Sequence, residues 1–150
     1  MKALTIILLT VLATSINKCS SSDTKALKQE LVIEYDAQTR GSQSKVIIKN
    51  DSLIIAEQGR KEGVFYYKLS DEDWNSLIKE VQKIDRDKIK TFKAPTNKRA
   101  VDAARTAQIR VLHKENLYES NLFDEGNPPT ELKALVNKVA GLYINSKKNK

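Results

Sequence analysis

The spacing of apolar residues in this chain changes near residue 70, and the change predicts its fold class. Between residues 31 and 69, short runs such as Leu31–Tyr35 carry apolar side chains at every second position, which is typical of strands with one buried face. Beyond residue 70 the apolar residues recur every three or four positions, as on a helix with one buried face. They are Trp74, Leu77, Ile78, Val81 and Ile84. The sequence therefore predicts a sheet covered by a helix.

The first part of this pattern divides into a run of short strands. The predicted strands are residues 31–35, 45–49, 52–57 and 64–69. Asn50 and Asp51 separate the second strand from the third, and both residue types tolerate the positive φ of a two-residue hairpin turn. Because hairpins this short join antiparallel neighbours, we expect an antiparallel meander.

The second part of the chain predicts two helices and two more strands. The predicted bounds are 71–84 and 130–144 for the helices, and 103–113 and 117–123 for the strands. Ser70 is a good N-cap residue, and the acidic residues after it favour the positive end of a helix. The order ββββ-α-ββ-α indicates an α+β fold, an antiparallel sheet with two amphipathic helices on one face.

Residues 1–19 are typical of an export signal that ends at a lipidated cysteine. Lys2 precedes an apolar run at 3–13, which suits a signal peptide and is too short to span a bilayer. Cys19 is the single cysteine of the chain. The predicted division is a signal peptide at 1–18 and a lipidated Cys19 with a flexible tether at 19–29. Cleavage by ordinary signal peptidase is the alternative, and it would leave the Cys19 thiol free.

The remaining chain is predicted to form a single globular α+β domain at residues 30–145, followed by a basic disordered tail at 146–150. The formal net charge is +7, but the basic residues are not interleaved with aromatic residues as a nucleic-acid surface requires. We therefore expect no nucleic-acid partner. The expected partners are a membrane, reached through the lipid anchor, and an envelope protein. The expected location is the cell envelope, as an outer-membrane lipoprotein.

The sequence offers no residue set typical of an enzyme. His113 is the only histidine and falls in phase with the apolar residues of a predicted strand, so we interpret it as a structural residue at the strand end. A metal site needs further His or Cys ligands, and the glycine-rich and nucleophile-elbow motifs are absent. We therefore predict a non-catalytic binding or interaction module without metal or cofactor. A hydrolase that pairs His113 with a serine stays open as an alternative.

Two polar segments are candidates for a binding surface. The basic loop at 85–100 is about as long as loops that commonly carry function, and the turn at 124–129 begins with acidic residues. Each segment joins a helix to a strand, so we expect both at the same end of the sheet. The candidate binding patch consists of Lys93, Lys98, Arg99, Asp124, Glu125 and Asn127. A recognition surface and a salt-bridged structural corner are the two interpretations of this patch.

Several stretches resemble segments of known exported proteins. They are Ile16–Cys19, Lys93–Arg99, Asp102–Ala104, Phe123–Pro129 and the helix around Trp74. The first resembles the lipobox of bacterial lipoproteins, with Lys18 where that family has a small residue. The others resemble small uncharacterised exported lipoproteins of Bacteroidota-type bacteria, which implies an envelope lipoprotein and no particular activity. The element order is also similar to that of emfourin-type metalloprotease inhibitors, although their first hairpin has paired glycines and this chain has Gly41. That similarity implies protease inhibition as an alternative function.

Overall fold

The computed structural model describes residues 30–60 and 62–148, and its first part is a run of four antiparallel strands. Their bounds are β1 (Leu31–Gln38), β2 (Gln43–Lys49), β3 (Ser52–Gln58) and β4 (Gly63–Lys68). All four predicted strands are therefore confirmed, although β1 continues beyond its predicted end. The predicted signal peptide, lipidated Cys19 and tether lie outside the described residues.

The hairpin between β2 and β3 has the predicted two-residue turn. Lys49 is paired with Ser52, so Asn50 and Asp51 alone form the connection. Asn50 has a φ of 56°, in the left-handed region that asparagine tolerates better than most residues. This turn fixes the register of the two strands, and with it the side chains that face the core.

The first helix, α1 (Asp71–Lys83), begins at the predicted cap. The Ser70 hydroxyl accepts a hydrogen bond from the backbone N–H of Asp73 at 3.1 Å, which satisfies one of the free donors of the first turn. The apolar stripe faces the sheet, and Trp74 is fully buried. The predicted helix and the predicted burial of Trp74 are both confirmed.

The segment after α1 is more ordered than the loop that the sequence predicts. It contains two 3₁₀ helices, Arg86–Thr91 and Lys98–Val101. Ile89 in the first of them is only 1% exposed and Phe92 also packs against the core, so apolar side chains hold this polar segment in place. The strand predicted from residue 103 begins at Thr106, because residues 98–105 form the second 3₁₀ helix and its exit.

The next elements are β5 (Thr106–His113), β6 (Asn116–Glu119) and β7 (Phe123–Asp124). The strand predicted at 117–123 is therefore present as two shorter strands, because the ladder is interrupted at Ser120. The Ser120 N–H still donates to the Ile109 carbonyl, but the Ile109 N–H donates to the Ser120 hydroxyl, at 3.1 Å, instead of to its carbonyl. The side-chain amide of Gln108 donates a hydrogen bond to the Ser120 carbonyl instead, at 2.8 Å. Side chains thus replace the main-chain bonds that would continue β6.

The chain described by the structure ends in a longer helix than the sequence predicts. A short 3₁₀ helix, Thr130–Leu132, leads into α2 (Lys133–Lys148). The prediction of a disordered tail from residue 146 is therefore wrong for residues 146–148. Ser146 is buried, and its hydroxyl donates to the Tyr143 carbonyl at 2.9 Å, while Lys147 forms an ion pair with Glu57. These contacts extend the helix beyond its apolar stripe.

The strands form one antiparallel sheet in the order β4-β3-β2-β1-β5-β6, with β7 paired to the start of β5. Inward side chains of the strands and the apolar stripes of α1 and α2 form one core, so the predicted α+β class with the order ββββ-α-ββ-α is confirmed. No helix in residues 30–60 and 62–148 is both long and apolar enough to cross a membrane.

Candidate functional site

The centre of the predicted patch is held in place by the short strand β7. Phe123 is fully buried, and its ring lies 6.4 Å from the ring of Tyr35, measured between centroids. The next residue, Asp124, is paired with Thr106 and is only 1% exposed. A carboxylate this deeply buried is stable only when it is hydrogen-bonded or paired with a cation. Its partners therefore define what this part of the fold does.

Asp124 accepts hydrogen bonds from three residues of the 96–99 segment. Its Oδ2 accepts from the Thr96 hydroxyl at 2.5 Å and from the Lys98 backbone N–H at 2.7 Å. Its Oδ1 accepts from the Arg99 N–H at 2.9 Å and from the Arg99 guanidinium at 3.2 Å. The carboxylate thus caps the Lys98–Val101 3₁₀ helix, whose own N-cap residue, Asn97, makes no capping bond. We call these four residues the Asp124 clamp.

The clamp also sets the charge state of its central carboxyl group. Desolvation alone raises the pKa of Asp124, but the hydrogen bonds from Thr96, Arg99 and Lys98 act in the opposite direction and outweigh it. The pKa of Asp124 is therefore held well below its usual range. The group stays ionised at any physiological pH and serves as a fixed hydrogen-bond acceptor.

A tight turn follows Asp124 and closes the corner. The Asn127 N–H donates to the Asp124 carbonyl at 2.8 Å. Gly126 lies between them with a φ of 81°, which residues other than glycine rarely adopt. The Asn127 amide also reaches the Thr96 hydroxyl at 3.3 Å. The two predicted segments therefore meet at one end of the sheet, as the sequence predicts.

The structure brings only part of the predicted patch together in the predicted way. Lys98 contacts Asp124 through its backbone N–H, not its ammonium group. Glu125 forms its ion pair with Arg105, at 3.1 Å, and not with Lys98. Because Asp124 is buried, it cannot touch a partner directly. The exposed members of the patch are Lys93, Lys98, Glu125 and Asn127.

An open groove of about 700 Å³ runs beside the clamp. Lys93, Pro95 and Leu122 line it, and Leu122 is 46% exposed. The Asn121 amide donates to the Lys90 carbonyl at 2.5 Å, which ties the two walls of the groove together. The groove therefore presents apolar side chains beside one lysine. Its backbone is fixed by hydrogen bonds at several points.

His113 lies at the opposite end of β5 from the clamp. Its Nδ1 is 3.1 Å from an Arg86 guanidinium nitrogen, which can only donate, so Nδ1 accepts and the ring proton is on Nε2. The same guanidinium lies 5.3 Å above the Tyr118 ring. Burial and the positive charges of Arg86 and Lys114 lower the pKa of His113. The hydrogen bond between Arg86 and the His113 imidazole therefore ties the Arg86–Thr91 helix to the sheet.

Sequence reasoning missed a second polar cluster, at the end of α2. Tyr143 donates its hydroxyl proton to Glu57 Oε1 at 2.6 Å, and the Lys147 ammonium lies 2.5 Å from the same oxygen. Glu57 is 8% exposed. Burial lowers the pKa of Lys147, but Glu57 and Tyr143 outweigh this and raise it. No local pattern signals the cluster, because Glu57 alternates as an ordinary strand residue and Lys147 lies in a lysine-rich end.

A small cavity of about 240 Å³ lies between α2 and the sheet. Apolar side chains such as Val46 and Val136 line most of it, and Tyr35 and Glu125 stand at its wall. Desolvation and the nearby Glu125 raise the pKa of the Tyr35 hydroxyl. At the wall of the cavity, the Glu125 carboxylate is held by the Arg105 guanidinium at 3.1 Å.

No group of three or more His, Cys, Asp or Glu side chains suited to a metal ion occurs in the part of the chain that the structure describes. Comparison with models of protein families and with curated proteins found no match.

Proposed function

We propose that this protein is a cell-envelope lipoprotein, acylated at Cys19, that acts as a non-catalytic binding module. One observation supports the binding role: the Asp124 clamp fixes the 96–99 segment while the side chains of Lys93 and Lys98 stay exposed. Loops held in one conformation by a rigid scaffold lose little entropy on binding and commonly carry recognition.

The chemistry of the surface indicates the kind of partner. Neither Lys93 nor Lys98 forms an ion pair with another described residue, so both charges are available. Lys93 lines the groove together with the apolar side chains of Pro95 and Leu122. A protein segment that places acidic side chains beside an apolar one complements this surface. Arg99 also lines the groove, but its guanidinium is held by Asp124 and does not offer a free charge to a partner.

Crosslinking from the native envelope tests the binding role. The Lys93→Ala, Lys98→Ala double variant should fold as the wild type does and lose the captured partner, since neither ammonium group forms an ion pair or a hydrogen bond with another described residue. The matched control is Lys79→Ala, Lys133→Ala, which removes two exposed lysines outside the groove. Equal capture by both double variants would contradict the proposal. So would turnover of ester, peptide or glycoside substrates that His113→Ala abolishes, or stoichiometric inhibition of secreted metalloproteases by the double variant.

The anchor is tested separately. Labelled palmitate should be incorporated into the wild-type chain and not into Cys19→Ala. Labelling of both chains, or of neither, would contradict acylation at Cys19. This result is independent of the groove, so the location and the binding role can fail separately.

A further inference from the structure

The free edge of the sheet at β4 is the least protected surface of the described fold. β4 pairs with β3 on one side and with no other strand of residues 30–60 and 62–148. Edge strands tend to pair with other chains unless prolines, bulges, inward charges or covering elements prevent it. β4 has the sequence Gly-Val-Phe-Tyr-Tyr-Lys, with no proline and one charge, at its end.

The opposite edge, β6, is protected by comparison. It has only four residues, and Glu119 at its end is bound by Arg110 at 2.7 Å. The Arg86–Thr91 helix packs against it, with Arg86 above the Tyr118 ring. The β6 edge is therefore covered, whereas no second strand covers β4 among residues 30–60 and 62–148.

The hydrogen-bonding groups at the open edge belong to alternate residues. The Leu69 N–H donates to the Asp51 carbonyl at 2.6 Å, so residue 69 faces β3. Since main-chain groups alternate along a strand, the N–H and C=O groups of Val64, Tyr66 and Lys68 point away from β3. The side chains of Val64 and Tyr66 are 54% and 74% exposed on the face of the sheet that the helices leave open.

We propose that β4 pairs antiparallel with β4 of a second copy of this chain, with Phe65 on the two-fold axis. In this register Val64 lies opposite Tyr66 of the second copy, and both have outward main-chain groups, so they exchange two hydrogen bonds. Glu62 then lies opposite Lys68 of the second copy, and neither residue has an ion-pair partner in the described chain. On the core face, Tyr67 lies opposite Gly63, against which the Phe65 ring of its own chain already packs.

Charge selects this register among the alternatives. A shift of one residue would place residues whose main-chain groups point outward opposite residues whose main-chain groups point toward β3. The hydrogen bonds between the two copies would then be lost. A shift that places Tyr66 opposite its own copy keeps the hydrogen bonds but leaves Lys68 opposite Val64 and Glu62 opposite Ser70. Only the register centred on Phe65 places Glu62 opposite Lys68 of the other copy. It does so twice, once on each side of the two-fold axis. Pairing also covers the β4 edge of each copy, so assembly stops at the dimer.

The test measures dimerisation of the full chain with Cys19→Ser, purified in detergent. Oxidised glutathione should crosslink Phe65→Cys into a covalent dimer several-fold faster than Leu117→Cys, an exposed position on β6. Preferential crosslinking of Tyr66→Cys would overturn the register. Because Phe65 packs partly against the core, Trp74 emission serves to confirm that the variant is folded.

Charge reversal tests the same contact without a cysteine. In sedimentation experiments Lys68→Glu and Glu62→Lys should each weaken dimerisation about tenfold, since like charges then face each other at two symmetric sites. The combined variant should restore it, and the control Lys49→Glu, which lies two strands inside the sheet, should change it little. A monomer at every concentration, larger oligomers, or no rescue by the combined variant would overturn the proposal.

Discussion

Arg99 binds one oxygen of Asp124 twice, through its backbone N–H at 2.9 Å and through its guanidinium at 3.2 Å. The first bond fixes the start of the Lys98–Val101 3₁₀ helix, and the second fixes the direction of the side chain. The guanidinium also donates to the Thr96 carbonyl at 3.0 Å. Arg99 and Asp124 thus hold two segments together that are 25 residues apart in the chain.

Asp124→Asn should destabilise the fold markedly. The amide has the size of the carboxyl group but lacks its charge. Its NH₂ group can only donate, so it cannot accept the hydrogen bonds that a carboxylate oxygen of Asp124 accepts. We expect the melting temperature to fall by roughly 5 °C or more, measured by circular dichroism. The control is Glu125→Gln, which changes the neighbouring, surface-exposed ion pair and should cost little. Equal effects of the two substitutions would contradict a structural role for the clamp.

The clamp should also make the fold acid-sensitive. Because the pKa of Asp124 is lower in the folded protein than in the unfolded chain, the unfolded chain takes up a proton first as the pH falls. The stabilisation is complete above about pH 5 and is lost progressively below about pH 4, the ordinary range for an aspartate. The difference in unfolding free energy between wild type and Asp124→Asn should therefore shrink in acid. A constant difference from pH 7 to acid would contradict this.

Trp74 should report the integrity of the core. The side chain is fully buried, and its indole N–H has no hydrogen-bond partner among the described residues. Its fluorescence emission should therefore be blue-shifted in the native protein and shift to the red on unfolding. Since Trp74 is the only tryptophan, no other residue contributes to this signal. Native emission at the wavelength of a water-exposed indole would contradict the packing of α1 on the sheet.

The end of α2 should contribute to stability through Lys147. Lys147→Met removes the cation beside the buried Glu57 and is expected to cost about 1 kcal/mol of unfolding free energy. Denaturant titration can measure the loss, and Lys148→Met serves as the control because that side chain is exposed. If both substitutions have the same small effect, the ion pair does not stabilise the helix end.

Patterns of apolar residues predicted the elements whose stability depends on burial. The alternation of β1 and the stripe of α1 were sufficient for the fold class, because each signals which face of the element is buried. The Asn50 turn and the Ser70 cap were predictable for a similar reason, since both depend on neighbours within a few residues. These features are local, and a sequence displays them directly.

The features that sequence reasoning missed depend on partners far away in the chain. Asp124 looks like an exposed turn residue until Thr96 and Arg99 are placed beside it. Lys147 looks like part of a solvated tail until Glu57 is brought near from β3. Ser120 ends β6 because its hydroxyl reaches Ile109 across the sheet. In each case a polar contact between distant segments decided the local structure.

The position of β1 would have a mechanical consequence if the chain is anchored through Cys19 as we propose. β1 is an inner strand that begins at Leu31 and is bonded along its whole length to β2 and β5. The hydrogen bonds of antiparallel ladders lie perpendicular to the strands. A pull on the residues before Glu30, directed along β1, therefore loads both ladders in shear, and many bonds must break together. The same force directed along an edge strand such as β4 would load one ladder instead of two.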